Sequence, residues 1–482
     1  MKLLTKSKYL AGLQCPKYLW VQYHDRDRIP EPGAMAKHLF KEGDKVGEMA
    51  KKLYPEGIDI SFDSFKENLT KSKELLKEGK PLFEPGYIHE NCFSRADVLV
   101  PVGDEWDIVE VKSGTKVKDV NVHDVSFQKY VYEGAGLKIR NCYLMHLNTE
   151  YVRDGDLDVE KLFKLRDITE KVEEFSKGLE DRIEVMLDVI SADKDPRQDI
   201  GAHCKSPYAC PLTECWDHLE DNHVFKLYMG GAKSQSLYES GVHAIKDIPD
   251  AFKLTDKQDI QRECEKTGKE FVSKGDLKHF LKDLNYPLYY LDFETFNTAV
   301  PMFDGLSPHQ QVPFQYSLHV VKEEGSKPEH YEFLYRGSSD PRKEFLDSLK
   351  GVIGSSGDIV VYHAPFEKSI LKKVGNYFGE EEWVSEVNSR IVDLLIPFRN
   401  FHYYNSKQQG SASIKKVLPA LVGKDYSGLG IQEGAAANTE FMRVTYSESE
   451  DKEKVYADLL EYCELDTKAM VWIVDKLREK VV

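Results

Sequence analysis

The chain has no long apolar run. None of its 482 residues falls in a stretch apolar enough to span a bilayer. The opening residues scatter Lys2, Lys6 and Lys8 among short apolar pairs. With no continuous hydrophobic segment there, a secretory signal is not expected, and the cytoplasm is the expected compartment. Low-complexity tracts are missing as well, which excludes a chain dominated by disorder. Positive charge is not in surplus: 66 Lys and Arg against 82 Asp and Glu leave a net charge of −16. That balance argues against a passive nucleic-acid coat, but not against an enzyme whose sites are built from acids. Cysteine is sparse, with eight residues, and in a reducing compartment these do not form a disulfide framework. Cys92, Cys142, Cys264 and Cys463 sit among apolar or mixed neighbours and read as ordinary reduced thiols. The length is too great for one ordinary core, so two or more domains are expected.

The most informative stretch is Tyr286 to Thr295, an aromatic and aliphatic run opened by Pro287 that reads as a buried strand. Side chains alternate across a strand, so Asp292 and Glu294 share one face while Leu291 and Phe293 take the other. Two carboxylates on one face repel each other, and a divalent cation between them removes that cost. An edge strand with a solvated polar face is the competing explanation.

In the N-terminal half, residues 93–101 and 106–114 read as a hairpin around Gly103-Asp104-Glu105. Alternation puts Ile108, Glu110 and Lys112 on one face, with Asp97 available from the neighbouring strand. Two acids suffice to hold a divalent ion, and a lysine beside them can orient a water or offset phosphate charge. A surface ion pair is the ordinary explanation of a lone E-x-K. A helix follows, carrying His123, Asp124, Gln128 and Tyr132; the last two are four apart and share a face. An earlier break at Cys15-Pro16 puts Cys15 at a helix N-terminus, where a thiolate is stabilised. After a charged helical stretch from Asp154 to Asp193 comes Cys204, Cys210 and Cys215 as C-x5-C-x4-C among prolines. Thiolates in this pattern suit a [4Fe–4S] cluster or zinc; the absence of paired C-x2-4-C spacings favours iron–sulfur.

Asp97, then Glu110-x-Lys112, then Gln128-x-x-x-Tyr132 resembles the PD-(D/E)XK nucleases of the RecB type. One early cysteine with a late cluster of three resembles the iron–sulfur members of that group, which include the AddB nuclease domain and CRISPR-associated relatives. That resemblance implies Cys15 as the fourth ligand and a cluster that staples the first helix to the end of the domain. The group usually adds a metal-binding His on an early helix. The corresponding G-x-x-x-H reads Gly43-Asp44-Lys45-Val46-Gly47 here, and His38 is out of register.

Residues 223–284 read as a helical connector. Within it, 237–249 resembles half of a helix-hairpin-helix, whose glycine turn offers amide groups to phosphate. Beyond Asp292 and Glu294 two further strands are expected, at 313–321 and 331–335, then a helix from Pro341, a strand at 358–363 and another helix. Tyr462 and Asp466 lie four apart on a helix near the C-terminus. D-x-E followed by Y-x3-D resembles the DEDDy, DnaQ-like 3′→5′ exonucleases. By that resemblance Asp292, Glu294 and Asp466 hold Mg2+ or Mn2+, and Tyr462 orients the attacking water. The second motif differs from the pattern: His363-Ala364-Pro365-Phe366-Glu367 stands where an Asn and an Asp are expected. The third carboxylate is therefore Glu367 or Asp393. Lys415 and Lys416 open a helix on the substrate side, where they meet phosphate or remain solvated.

The whole order resembles a bacterial family that fuses these two parts. It implies an α/β chain: a PD-(D/E)XK restriction-endonuclease-like domain with an Fe–S staple at 1–222, a helical connector at 223–284, and an RNase H-like DEDDy exonuclease domain at 285–482. The expected function is metal-dependent phosphodiester hydrolysis in DNA processing, repair or defence. The expected partner is nucleic acid, with DNA favoured over RNA, and no membrane. The rival is a non-catalytic nucleic-acid-binding or scaffold protein with one or both sites degenerate. The sequence sets no oligomeric state.

Overall fold

The computed structural model describes residues 2–60, 64–447 and 449–482. The protein is mixed α/β, and its contacts divide it into two units: Met1–Trp216 with Thr298–Gln310, and Asp217–Asn297 with Gln311–Val482. Among the described residues no helix is long and apolar enough to cross a membrane.

The first unit is built on a six-stranded sheet in the order Ile58–Asp59, Leu82–Phe83, Val98–Val102, Glu105–Lys112, Ile139–Leu147, Phe163–Asp167. Strand Glu105–Lys112 is antiparallel to Val98–Val102 and parallel to Ile139–Leu147. A parallel return needs a crossover, which helix Asp119–Gly134 supplies. Asn121 Oδ1 accepts from Lys118 N–H at 3.0 Å at the start of that helix. Period-two alternation sorts two apolar layers. Ile108 packs with Leu99, Leu144, Val122 and Val125, while Val109 packs with Val98, Met145 and the Val46 and Ala50 of helix Ala34–Lys51. Glu110 follows Ile108 and so points beneath helix Asp119–Gly134.

Two expectations for this unit need correction. The single strand at 93–101 is two strands: Cys92–Arg95 belongs to a three-stranded sheet with Leu4–Thr5 and Gly86–His89, and Val98–Val102 to the large sheet. At the break, Ala96 N–H donates to the Tyr132 hydroxyl at 2.8 Å, and Val111 N–H donates to Asp97 Oδ2 at 2.7 Å. Side chains thus take over backbone pairing where the chain changes sheets. The helical stretch at 154–193 contains the strand Phe163–Asp167, which pairs with Ile139–Leu147 before helices Thr169–Ser176 and Leu179–Ser191.

The second unit carries a five-stranded sheet in the order Glu329–Leu334, Val312–Val321, Leu288–Phe296, Ile359–Val361, Ile391–Asp393. The first three strands are antiparallel and the last two run parallel to Leu288–Phe296. Leu291 and Phe293 pack with Phe345, Leu349 and Leu371 on one face. Asp292 and Glu294 point to the other face, which the 30-residue helix Lys452–Val481 covers. That helix is held there by Gln315 Nε2 donating to Leu459 O at 2.8 Å, and by Thr467 Oγ1, which bonds Ser317 and His319.

The connector residues 223–284 cluster with the second unit. Phe271–Val272 pairs antiparallel with Tyr403–Tyr404, and Val224, Leu237, Ile245 and Ile248 form a small core. Helix Gly231–Glu239 leads through Gly241, at φ 82°, only to the single turn Ile245–Asp247. The second helix of a helix-hairpin-helix is not formed there.

Candidate functional site

In the second unit, Asp292 and Glu294 leave the central strand on its covered face, and Asp466 descends from helix Lys452–Val481. Among the described residues these three are the group in which one carboxylate oxygen from each lies within 4.8 Å of the others. Glu294 is 7% exposed and Asp466 is equally buried. Burial, then the charge of Asp466, pushes Glu294 up to about 8; Lys415 opposes the shift. Burial, then Asp466, Glu294 and Glu367, pushes Asp292 well above the carboxylate range. Burial raises Asp466 to about 6, against a hydrogen bond from Tyr426. Carboxylates in this arrangement cannot all ionise without a compensating cation. The donor set is all oxygen, which suits a hard divalent ion.

Two tyrosines flank Asp466. Tyr426 donates to Asp466 Oδ1 at 2.6 Å. Tyr462 is one turn before Asp466 on the same helix, and its ring lies 6.1 Å from that of Tyr426. Lys415 Nζ stands 5.1 Å from the Tyr462 ring centroid and 5.5 Å from that of Tyr426, and donates to Gln432 O at 2.5 Å. Lys416 is exposed and bonds Gln409, outside this group. Helix Gly434–Tyr446 begins against the site: a Cβ on Gly434 would lie 3.6 Å from Glu294 Oε2.

The two candidates for a further carboxylate part company. Asp393 Oδ1 accepts from His363 N–H at 3.1 Å and Leu395 N–H at 3.0 Å, so backbone groups occupy it. Glu367, in the first turn of helix Ala364–Phe378, is 2% exposed and its Oε2 has no hydrogen-bond partner. Burial raises it to about 8, and its charge acts on Asp292. A buried carboxylate oxygen left unpaired costs free energy, so of the two candidates Glu367 is the one with an oxygen not committed to a partner.

The first unit gathers a second cluster. Lys112 Nζ donates to Glu110 Oε1 at 2.5 Å and to Asp124 Oδ2 at 2.9 Å. Gln128 Nε2 donates to Glu110 Oε2 at 2.7 Å and to Asp124 Oδ1 at 3.1 Å. Lys6 Nζ lies 3.1 and 3.2 Å from the two Glu110 oxygens and 3.8 Å from Asp97. Burial, then Asp124 and Asp97, raises Glu110 to about 7, while the two lysines pull it back. Burial opposes ionisation of Asp124 too, but Lys6 and Lys112 outweigh it and hold its carboxyl below the usual range. Tyr132 is not in this cluster: its hydroxyl donates to Pro85 O and supports the chain at Ala96. A cavity of about 430 Å³ opens over the cluster, lined by Lys6, Gly43, Gly47, Asp97, Glu110 and Lys112. A Cβ on Gly43 or Gly47 would meet open space.

Lys6, Asp124 and Tyr426 were not among the expected site residues. Asp124 could have been found, because it stands four residues before Gln128 on one helix face. Lys6 carries no local signal. It reaches Glu110 because strand Leu4–Thr5 pairs in parallel with Cys92–Phe93, just upstream of Asp97.

The four singled-out cysteines share one neighbourhood. Cys15, between helices Lys6–Gln14 and Pro16–His24, is buried, and Cys204, Cys210 and Cys215 are half-buried. Gln14 Nε2 ties the two segments by donating to His203 O at 2.9 Å and Tyr208 O at 2.7 Å. Burial raises the Cys15 thiol despite amide donors from Tyr18 and Lys17, so the helix start does not lower it as expected. The charges of Cys15, Cys204 and Cys215 all act on Cys210. Among the described residues no three of these sulfurs join a close ligand group like that of Asp292, Glu294 and Asp466.

A family described as Domain of unknown function (DUF2779) matches residues 289–413. That span holds Asp292, Glu294, Glu367 and Asp393 and stops before Lys415, Tyr462 and Asp466. The "Uncharacterized protein MG366 homolog" of Mycoplasma pneumoniae is 28% identical over 210 residues, 38% of this chain and 31% of that protein. "Uncharacterized protein MG366" of Mycoplasma genitalium is 28% identical over 243 residues, 46% of this chain and 36% of its own length. "Uncharacterized protein UU173" of Ureaplasma parvum is 26% identical over 208 residues, 38% and 30% respectively. The chain thus spans about a third of the length of these relatives.

Proposed function

We propose that this protein is a metal-dependent nuclease whose principal centre is in the second unit and trims nucleic-acid strands from the 3′ end. The observation that carries the reading is the convergence of Asp292, Glu294 and Asp466 within 4.8 Å. Three antiparallel strands followed by two parallel ones, with the long helix bringing Asp466 to the central strand, support an RNase H-like fold with a DEDDy-type site. Bound Mg2+ or Mn2+ would activate water and neutralise charge on the phosphoryl group and the leaving 3′ oxygen. The chain's own residues do the positioning. Tyr426 fixes the Asp466 oxygen it bonds, and Tyr462, one turn away, is the residue that would orient a nucleophilic water. Lys415 adds positive charge beside the carboxylates, which favours an anionic phosphodiester.

The first unit supports a second, PD-(D/E)XK-type centre built from Asp97, Glu110 and Lys112, with Gln128 holding Glu110. Glu110 there is shared between two lysines, so a divalent ion competes with Lys6 for the same oxygens. The four cysteines support a structural [4Fe–4S] cluster joining the first helix to the end of the unit. The substrate favoured is DNA ahead of RNA.

The test is Mg2+- or Mn2+-dependent degradation of labelled single- and double-stranded DNA and RNA with free and blocked 3′ ends. Asp292→Ala should remove 3′ trimming and Lys112→Ala any separate cleavage. A double variant as active as the parent would refute the proposal. Strand binding that persists with no cleavage under any metal would favour the scaffold reading.

A further inference from the structure

A cavity of about 820 Å³ in the first unit lies outside the carboxylate cluster and is lined by Lys116, His146, Lys164, Arg166, Thr169 and Lys171 among others. Its position follows from topology. Strands Glu105–Lys112 and Ile139–Leu147 run parallel, so both end at the same edge of the sheet, with Lys112 in register with His146. The loop after Lys112 carries Lys116 and is pinned there by Leu147 N–H donating to Gly114 O at 3.0 Å. In parallel α/β sheets ligands bind beyond the carboxyl ends of the strands. The cavity therefore begins one residue pair from the end of the strand that carries Glu110 and Lys112.

Its charge runs against that of the chain. The net charge is −16, yet the lining brings Lys116, Lys164, Arg166 and Lys171 against only Asp167 and Glu170. Asp167 is engaged, its Oδ1 accepting from Thr169 N–H and Oγ1–H at 2.9 and 2.6 Å. Lys164 pairs with Glu150 at 2.7 Å. Lys116, Arg166 and Lys171 are exposed and make no side-chain hydrogen bond or ion pair among the described residues. Cations on an edge strand such as Phe163–Asp167 ordinarily discourage pairing with another sheet. That accounts for Lys164 and Arg166 but not for Lys116 and Lys171, which reach the same cavity from a loop and from helix Thr169–Ser176.

We propose that this cavity is a docking track for the phosphate backbone of a single nucleic-acid strand, held by Lys116, Arg166 and Lys171. The inference rests on reading the first unit as acting on nucleic acid. The volume is that of a small-ligand site, which admits a few nucleotides rather than a duplex. The lining contains no Phe, Tyr or Trp, so bases have no stacking platform, and binding is to phosphates and indifferent to sequence.

The test is fluorescence anisotropy of the full chain with a labelled single-stranded DNA oligonucleotide in EDTA, across a salt series. Binding is read without cleavage, so its failure is separable from failure of the hydrolysis assay. The triple variant Lys116→Gln, Arg166→Gln, Lys171→Gln should weaken binding at least tenfold. It should also flatten the slope of log K against log salt by about 2, from about 0.7 per phosphate contact on a single strand. A control triple, Lys73→Gln, Lys77→Gln, Lys80→Gln, should leave both unchanged. The exposed positions should leave the thermal midpoint intact. An unaltered slope in the first triple, an equal loss in the control, or no strand binding by the parent would each overturn the proposal. Displacement by inorganic tripolyphosphate as effective, per phosphate, as by the oligonucleotide would also overturn it, in favour of a small-anion site.

Discussion

Glu294→Gln should make the protein more stable at neutral and alkaline pH in the absence of divalent ions, while destroying the second-unit centre. In the folded chain burial and the charge of Asp466 raise the Glu294 carboxyl from 4.5 to about 8. The sign follows from linkage: the folded state holds a proton that the unfolded state releases. Below the unfolded value both states are protonated and nothing is lost. As pH rises from about 4.5 to about 8, stability falls by roughly 1.4 kcal/mol per pH unit, to an upper limit of about 5 kcal/mol. Gln keeps the shape and hydrogen-bonding capacity without the charge, so that slope should disappear. Urea unfolding in EDTA at pH 5 and pH 8 measures it: both proteins should weaken over that interval, because Asp292, Asp466, Glu367 and Glu110 are raised in each, but the variant should weaken by less, the difference being the share of Glu294. Adding Mn2+ at about 100 times its Kd should return about 2.7 kcal/mol to the parent at pH 8, and little to the variant. Parallel pH dependence of parent and variant in EDTA would show that the three carboxylates do not load one another as their geometry requires.

Lys6→Met should destabilise the first unit by about 3 kcal/mol, because Glu110, with its side chain 1% exposed, loses one of its two cations while staying buried; Lys6→Arg should recover much of this. An unchanged thermal midpoint for Lys6→Met would refute the pairing. Tyr426→Phe removes the larger of the two hydrogen bonds that lower Asp466, the other coming from Tyr462, so half-maximal Mn2+ binding, followed by calorimetry between pH 5.5 and 8, should move to higher pH. A shift to lower pH, or none, would refute that role. Anaerobic preparations should be brown, absorbing near ~400 nm, and Cys15→Ser and Cys210→Ser should each lose colour and iron; a colourless protein with stoichiometric zinc would overturn the cluster assignment.

Sequence by itself determined the local geometry of the acids. Period two put Asp292 and Glu294 on one strand face, and a four-residue spacing put Tyr462 one turn from Asp466, because both depend only on backbone repeats. The same logic set Glu110 beside Lys112. Everything that depends on which segment lies over which was decided by tertiary structure. Glu367 and Asp393 looked interchangeable in the chain, yet backbone amides claim Asp393 and leave a Glu367 oxygen unpaired. Tyr426 reaches Asp466 across 40 residues, and Lys6 reaches Glu110 across 104, with no periodicity to announce either. The expected strand through Asp97 breaks because Tyr132, a residue expected in the site, instead holds the chain where it passes between sheets. Local patterns fix which way a side chain points; only packing fixes what it meets.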